Sequence, residues 1–335
     1  MIRAWRGKGR PGMALLSVQD LRVELQTSRG MAPAVRGVSF ELERGGTLGI
    51  VGESGCGKSM TALALMGLLP DGARTTGRID LAGIDLLSLD ENAWCKMRGN
   101  RMAMIFQEPM TSLNPVHRIG RQIAEPLRLH RGLRGAGARE EVLRLLDRVG
   151  LPDPSRRIDA YPHQLSGGQR QRVMIAMALS CAPDILLADE PTTALDVTIQ
   201  GQILDLVNEL VEDAGMGLIL ISHDLGVIGQ TVDDVAVMYG GAFVEQGATA
   251  ALFANLRHPY SRGLFAAVPR PGVTRQERLS TIPGTVPELA DLPPACAFAD
   301  RCANVTDICW QTAPDMTAVG ADHAAACHHQ EGVRE

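Results

Sequence analysis

The chain has no apolar run approaching the roughly 18 residues that a membrane-spanning helix needs, so it does not cross a bilayer by itself. Its basic start, with Arg3, Arg6, Lys8 and Arg10, is not followed by the apolar stretch of a secretory signal. Residues 1–12 therefore read as a basic disordered tail, or Met13 as the true start. No stripe of a single charge sign occurs. The net charge is −5, with Lys and Arg scattered, which weighs against nucleic acid as a partner. No repeat of solenoid period is visible, and no aromatic residue lies between Trp5 and Phe40. What is present is 335 residues of 45% hydrophobic content, enough for a large core and one smaller appendage.

The most informative stretch is Gly52-Glu53-Ser54-Gly55-Cys56-Gly57-Lys58-Ser59, a G-x-x-x-x-G-K-S spacing. An apolar strand-like run, Leu48 to Val51, precedes it, and a helical pattern, Met60 to Leu69, follows. In that context small residues let backbone N–H groups and a helix N-terminus surround a polyphosphate. Lys58 is then placed to reach the β- and γ-phosphates and the Ser59 hydroxyl to ligate Mg²⁺. The bland alternative is an ordinary Gly-rich turn before a helix; the order strand, loop, helix favours the phosphate loop.

Upstream, Leu16 to Leu25 and Ala34 to Leu42 are predicted as two strands of an edge sheet, separated by a turn at Ser28-Arg29-Gly30. Downstream, Gly77 to Leu81 reads as a strand, Asp90 to Arg98 as a short helix, and Arg101 to Phe106 as an apolar strand ending in Gln107. From Ser112 to Leu165, breaks at Pro115, Pro126, Pro152, Pro154 and Pro162 separate amphipathic helical segments such as Ala138 to Val149. The unbroken apolar run Ile185 to Ala188 suits a buried parallel strand. A helix, Val197 to Ala214, and a further strand, Gly217 to Ser222, complete a doubly wound α/β pattern.

Asp189-Glu190 follows the carboxyl end of the Ile185 strand, where α/β sheets place their ligands. Asp189 is assigned to Mg²⁺ and Glu190 to the general base that polarises an attacking water. Such pairs also cap helices. Leu165-Ser166-Gly167-Gly168-Gln169 precedes a predicted helix, Arg170 to Ala182, and offers a second anion site at a helix N-terminus; as a bare pentapeptide it is a loop with Ser166 as cap. Here it resembles the signature of ABC ATPases. The resemblance implies a phosphate-loop ABC cassette: a RecA-like parallel sheet core, an antiparallel edge sheet and a helical subdomain. It further implies that Gln107 is the Q-loop glutamine near Mg²⁺ and the attacking water. Ala194-Leu195-Asp196 is similar to the D-loop, with Asp196 reaching across a dimer seam. His223, following its strand, corresponds to the switch histidine on the γ-phosphate, although alone it reads as a capping or core residue. ATP is then sandwiched between the Lys58 loop of one subunit and the Ser166 loop of another. The family usually stacks adenine on an upstream aromatic; Leu25, Met31 or Val35 would offer an aliphatic face instead.

Lys58 and Ser166 are separated by about a hundred residues without sustained heptads, which excludes the long coiled coil of repair ATPases. Only one cassette is present, unlike translation-type ABC proteins. Gln107-Glu108-Pro109-Met110-Thr111-Ser112-Leu113-Asn114-Pro115, Tyr161 to Gly168, and His258-Pro259-Tyr260-Ser261-Arg262-Gly263-Leu264 resemble the dipeptide, oligopeptide and nickel uptake ATPases. Ile282 to Pro287 and the tail Cys296, Cys302, Cys309 and Cys327 resemble the C-terminal extension of the peptide importers. This implies residues 13–250 as the nucleotide-binding domain (core 13–107 and 166–250, helical subdomain 108–165) and 251–335 as a Cys-rich extension. The expected role is the ATPase subunit of a bacterial peptide importer, peripheral on the cytoplasmic face of the inner membrane. Its implied partners are a second related ATPase, two permease subunits contacted near Thr111 to Leu129, and an external binding protein. An importer of nickel, glycosides or opine-like solutes, and a soluble regulatory ABC ATPase, are the rivals.

Of the seven cysteines, Cys56, Cys95 and Cys181 stand apart. The four late ones lack the paired C-x2-C spacing of zinc ribbons. They permit an iron–sulfur cluster, as the resemblance suggests, with zinc or four reduced structural thiols as alternatives.

Overall fold

The computed structural model describes residues 14–107, 112–193, 195–268 and 281–330. The basic tail 1–12, Glu108 to Thr111 and Ala194 of the motifs above lie outside them. The chain divides into two compact units. The first comprises Met1–Glu43, Thr47–Ser88 and Leu220–Glu335; the second comprises Arg44–Gly46 and Leu89–Ile219.

In the first unit, β1 (Leu16–Thr27) and β2 (Gly30–Leu42) form an antiparallel hairpin paired from Leu16↔Leu42 to Thr27↔Gly30, with register shifts between Val18 and Glu24. With β4 (Arg74–Leu81) and β5 (Ile84–Asp85) they make a four-stranded sheet in the order β2-β1-β4-β5. Leu16, Val18, Leu21 and Val23 of β1 are buried while Gln19, Arg22 and Glu24 are exposed, a pattern in which each buried aliphatic side chain contributes about 1.5–3 kcal/mol. A second sheet joins β3 (Thr47–Val51) in parallel to β9 (Asp234–Tyr239), with Leu48↔Asp234 through Val51↔Val237. Antiparallel strands β10 (Ala242–Ala248), β12 (His323–Ala325) and β11 (Thr317–Gly320) continue from β9. The C-terminal extension thus adds a hairpin to this sheet, pairing Glu245↔Ala325. Helix α1 (Lys58–Leu65) follows β3.

The second unit holds α2 (Glu91–Met97), with Asp90 as N-cap, and the parallel pair β6 (Met102–Ile105) and β7 (Ile185–Asp189). Ile185 to Ala188 are fully buried, as the unbroken apolar run requires. The predicted helical region contains α3 (Ile119–His130), α4 (Gly135–Arg148) and α5 (Pro154–Arg157). Pro126 does not break the chain here: it lies inside α3. The proline removes one backbone donor. Burial of Ile119, Ile123 and Leu127 on one face keeps the helix continuous. Buried Gln122 also ties α3 down by donating to Asn114 O and His117 O at 3.0 and 2.9 Å. Next come α6 (Gly167–Ala178) and α7 (Val197–Ala214). The boundary between the units falls within β8 (Gly217–Ser222). Helices α8 (Leu225–Thr231), α9 (Thr249–Ala254) and α10 (Pro259–Ala266) belong to the first unit, as does α11 (Asp307–Gln311). No described helix is long and apolar enough to cross a membrane.

Candidate nucleotide site

In the first unit, the loop Gly52–Gly57 joins β3 to α1. Gly57 is the N-cap of α1 in a left-handed conformation, φ 106°. A Cβ there would stand 2.6 Å from Ala34 O, so the close approach of β2 requires glycine. The loop is further braced by Gly241 N–H donating to Cys56 O at 2.9 Å. Ser54 and Gly55 are exposed while Cys56 is buried, and burial pushes the Cys56 thiol up. Lys58 is 4% exposed, and its ammonium donates to Gly52 O at 2.8 Å and Glu53 O at 3.0 Å. The loop carbonyls thus hold the cation over the turn whose N–H groups can receive phosphate. Ser59 follows in the first turn of α1, partly accessible.

Glu53 is gripped from the C-terminal side of the sequence. Its N–H donates to Tyr260 Oη at 2.7 Å. Its carboxylate receives both terminal nitrogens of Arg301, at 2.6 and 3.0 Å. No local pattern marked these partners; Tyr260 was visible only inside a family-like stretch. Upstream, Leu25 and Met31 keep accessible surface, whereas Val35 is 1% exposed inside its sheet. Val35 is therefore withdrawn as an aliphatic face for a base. His223 is exposed just past β8, so it is not a core histidine. Nor does it cap α8: Asp224 does, accepting from Gly226 and Val227 N–H at 2.7 and 3.2 Å.

In the second unit, Asp189 ends β7 at 5% exposure. Glu190 adopts a left-handed φ of 45°, unusual for a non-glycine residue and concentrated at functional sites. Its carboxylate accepts from Gln107 Nε2 at 3.1 Å and Thr193 Oγ1 at 3.0 Å. The structure thus brings together the two groups assigned to the attacking water, and adds Thr193, which no motif had marked. Ser166 is the N-cap of α6 in a reciprocal capping box: Gln169 N–H donates to Ser166 Oγ at 3.4 Å, and Ser166 N–H to Gln169 Oε1 at 3.2 Å. The helix begins at Gly167, earlier than the predicted Arg170, because this box holds its first turn. Exposed Ser166 and Gly167 leave the N-terminus open to an anion. Asp196 caps α7 through Ile199 N–H at 3.0 Å.

The four late cysteines are all in the first unit. Burial pushes the Cys302 thiol up to about 11, reinforced by Cys327, Cys296 and Cys309 nearby, and likewise raises Cys296 and Cys327. Cys309 Sγ is 3.8 Å from His329 Nε2. Among the described residues, however, no three His, Cys, Asp or Glu side chains converge as a metal-holding group.

A phosphate loop behind a parallel strand, an Asp-Glu pair closing another, and a serine-capped Gly-Gly-Gln helix define an ATPase of the ABC class. The ABC transporter family model matches residues 35–193, and that of the oligopeptide/dipeptide transporter C-terminal region matches residues 244–309. The chain belongs to the ATP-binding subunits of the dipeptide/oligopeptide import family of ABC transporters. It is 49% identical over 319 residues to the dipeptide transport ATP-binding protein DppD of Bacillus subtilis, covering 95% of each chain. It is 49% identical over 317 residues to the oligopeptide transport ATP-binding protein OppD of Salmonella typhimurium, covering 95% of this chain and 94% of that one. Among solved structures, the dimeric ATP-binding cassette MJ0796 bound to ADP and Pi aligns with a TM-score of 0.63 at 27% identity, over 70% of this chain and 98% of that one. CbiO1 of Clostridium perfringens, part of an ABC transporter complex, aligns with a TM-score of 0.62 at 28% identity, over 72% and 91%.

Proposed function

We propose that this chain hydrolyses ATP to drive import of dipeptides or oligopeptides across the bacterial inner membrane. The observation that carries the chemistry is the Glu190 carboxylate, held by Gln107 and Thr193 directly behind Asp189. On this reading Gly52 to Gly57 wrap the ATP phosphates, and Lys58 offsets charge on the β- and γ-phosphates. Ser59, Gln107 and Asp189 would hold Mg²⁺, whose charge would stabilise the transferred phosphoryl group. Glu190 takes a proton from the attacking water as its oxygen bonds to the γ-phosphorus and the bond to ADP breaks. Gln107 orients that water, and His223 contacts the γ-phosphate. Ser166 to Gln169 face the ATP of a second, related subunit, and Asp196 reaches across the seam. Residues 13–250 form the nucleotide-binding domain, whose helical subdomain, 108–165, docks on a permease subunit near Thr111 to Leu129, with 251–335 as the extension. An external binding protein supplies the peptide, and the chain sits on the cytoplasmic face of the membrane.

Glu190→Gln is expected to hold Mg-ATP but to lose roughly two to four decades of turnover; undiminished hydrolysis removes Glu190 from the role. Vesicles carrying the assembled transporter should take up labelled peptide with ATP. Uptake of nickel, glycoside or opine instead would overturn the peptide assignment. A chain that purifies without permease subunits points to the regulatory ATPase. Cys296, Cys302, Cys309 and Cys327 are read as ligands of an iron–sulfur cluster, with zinc as the alternative, because burial and neighbouring thiols raise Cys296, Cys302 and Cys327, so that a cation among them would favour their thiolates. Iron, sulfide and zinc analysis of anaerobically purified protein decides this. Metal-free protein with an intact tail would defeat it.

A further inference from the structure

The phosphate loop of this chain carries a carboxylate. Glu53 follows the first glycine, and an unpaired negative charge there would oppose a polyphosphate in the same loop. The structure pairs it. Arg301 lies on a single helical turn, Ala299–Arg301, in the C-terminal extension. Its side chain is 4% exposed, and its guanidinium forks onto both carboxylate oxygens of Glu53 at 2.6 and 3.0 Å. The remaining nitrogen, Nε, donates to Pro283 O at 2.8 Å. Its Cζ sits 5.8 Å from the ring centre of Tyr239 and 6.0 Å from that of Phe298. A planar, bidentate and buried arginine has little freedom to leave. The same loop residue is held at its two backbone polar groups as well. Tyr260 Oη accepts the Glu53 N–H, and Lys58 Nζ donates to Glu53 O. Glu53 therefore connects the phosphate-binding lysine to two residues supplied by the extension.

We propose that Arg301 is a positioning residue for ATP binding: by neutralising and tethering Glu53, the C-terminal extension sets the charge and shape of the phosphate loop. The proposal rests on the reading that Gly52 to Ser59 bind ATP. It assigns the extension a part in nucleotide affinity, exerted through a side chain that does not itself touch the nucleotide. Arg301 also stands on the turn between two of the clustered cysteines. Ala299 N–H donates to Cys296 O at 3.0 Å, and Cys302 N–H to Ala299 O at 3.3 Å. The turn between Cys296 and Cys302 thus carries the guanidinium that holds the phosphate loop.

The test is the dissociation constant for Mg-ATP of the full-length chain, measured by calorimetry well below its melting temperature. Wild type, Arg301→Gln, Glu53→Gln and the double variant are compared. Arg301→Gln is expected to weaken binding by about tenfold or more, because it leaves the carboxylate uncompensated. Adding Glu53→Gln to it is expected to restore affinity to within about threefold of Glu53→Gln alone. A purely structural ion pair would lower the melting temperature of Arg301→Gln without that rescue. Wild-type affinity in folded Arg301→Gln, or a double variant as weak as Arg301→Gln, overturns the proposal. If Arg301→Gln does not fold, Arg301→Lys keeps the charge and loses the fork. It is expected to weaken binding by about threefold or more, and unchanged affinity there would overturn the proposal too. Failure of the wild type to bind Mg-ATP would instead sink the underlying assignment of the loop.

Discussion

Replacing Glu245 tests how the extension is attached. This residue on β10 is fully buried, with a relative exposure of 0%. Its carboxylate accepts from the backbone N–H of Arg257 at 2.6 Å and of His258 at 3.0 Å, and lies 2.7 Å from His323 Nε2. Burial alone would push its carboxyl up, but His323, the Ser261 hydroxyl and the two backbone donors outweigh burial and hold it below the ordinary range. One carboxylate therefore joins β10 to the segment that carries Tyr260 and to β12. Glu245→Leu fills similar space but leaves these donors facing hydrocarbon. At about 1–3 kcal/mol for each unsatisfied buried donor, and with breaking a buried pair known to cost about 3–5 kcal/mol, the expected loss is about 4 kcal/mol. Glu245→Gln keeps one oxygen acceptor and the shape, and should lose about half as much. Urea unfolding of the full chain, followed by circular dichroism, gives both numbers from the midpoint shift. A Leu variant within about 1 kcal/mol of wild type, or a Gln variant as damaged as the Leu variant, would refute the account; in either case the hydrogen bonds would not be what holds this junction.

The pH dependence of stability should carry the mark of His258. Burial holds this imidazole down at about 4, against 6.5 for a free group, and its Nδ1 accepts from Tyr260 N–H at 3.1 Å, which requires the neutral ring. Between pH 6.5 and 4 the unfolded chain binds a proton there that the folded chain refuses. Stability is therefore fully present above that window and falls with pH through it, by up to about 3 kcal/mol. Glu245, depressed in the folded state, adds a loss further into acid. His258→Asn retains a capping acceptor without the titration, so its stability should be flatter over the same range. Identical slopes in the two proteins would rule the mechanism out. In the phosphate loop, Gly57→Ala forces a left-handed alanine against Ala34 O and is expected to weaken Mg-ATP binding more than tenfold. Gly45→Ala is also left-handed but has nothing within 4 Å, so it should leave that affinity unchanged; equal effects of the two substitutions would show that backbone strain, not the close approach, matters.

The elements legible in the sequence were those specified by local periodicity and punctuation. The helix Val197–Ala214 and the strand Gly217–Ser222 have the predicted bounds, because Asp196 caps one end of the helix and Gly215, φ 59°, closes the other. The sequence pattern puts the helix after the phosphate loop at 60–69, and it runs from Lys58 to Leu65. The left-handed Gly57 lets it start at once, and Gly67 follows its C-cap Met66. Pro126 misled, since a proline's local cost is visible in sequence while the burial that outweighs it is not. The candidate site residues Lys58, Asp189 and Glu190 are marked by short motifs at element ends. Thr193, Tyr260 and Arg301 were not. Their roles depend on which distant groups meet, and neither spacing nor composition encodes a contact between residues 248 positions apart. The same applies to the late cysteines, whose spacing suggested a group but could not set the distances within it.

That separation bears on how the protein is made. Glu53 is synthesised 248 residues before its counter-ion, which at about 5–20 residues per second takes roughly 12–50 s on the ribosome. Through that interval the nascent cassette can build its strands and helices but carries a loop with an unbalanced carboxylate. If Arg301 tunes the loop as proposed, the grip on ATP would mature last, when the far end of the chain folds back. On that proposal, the nucleotide affinity of a cassette cut off near residue 250 would describe the nascent chain rather than the finished subunit.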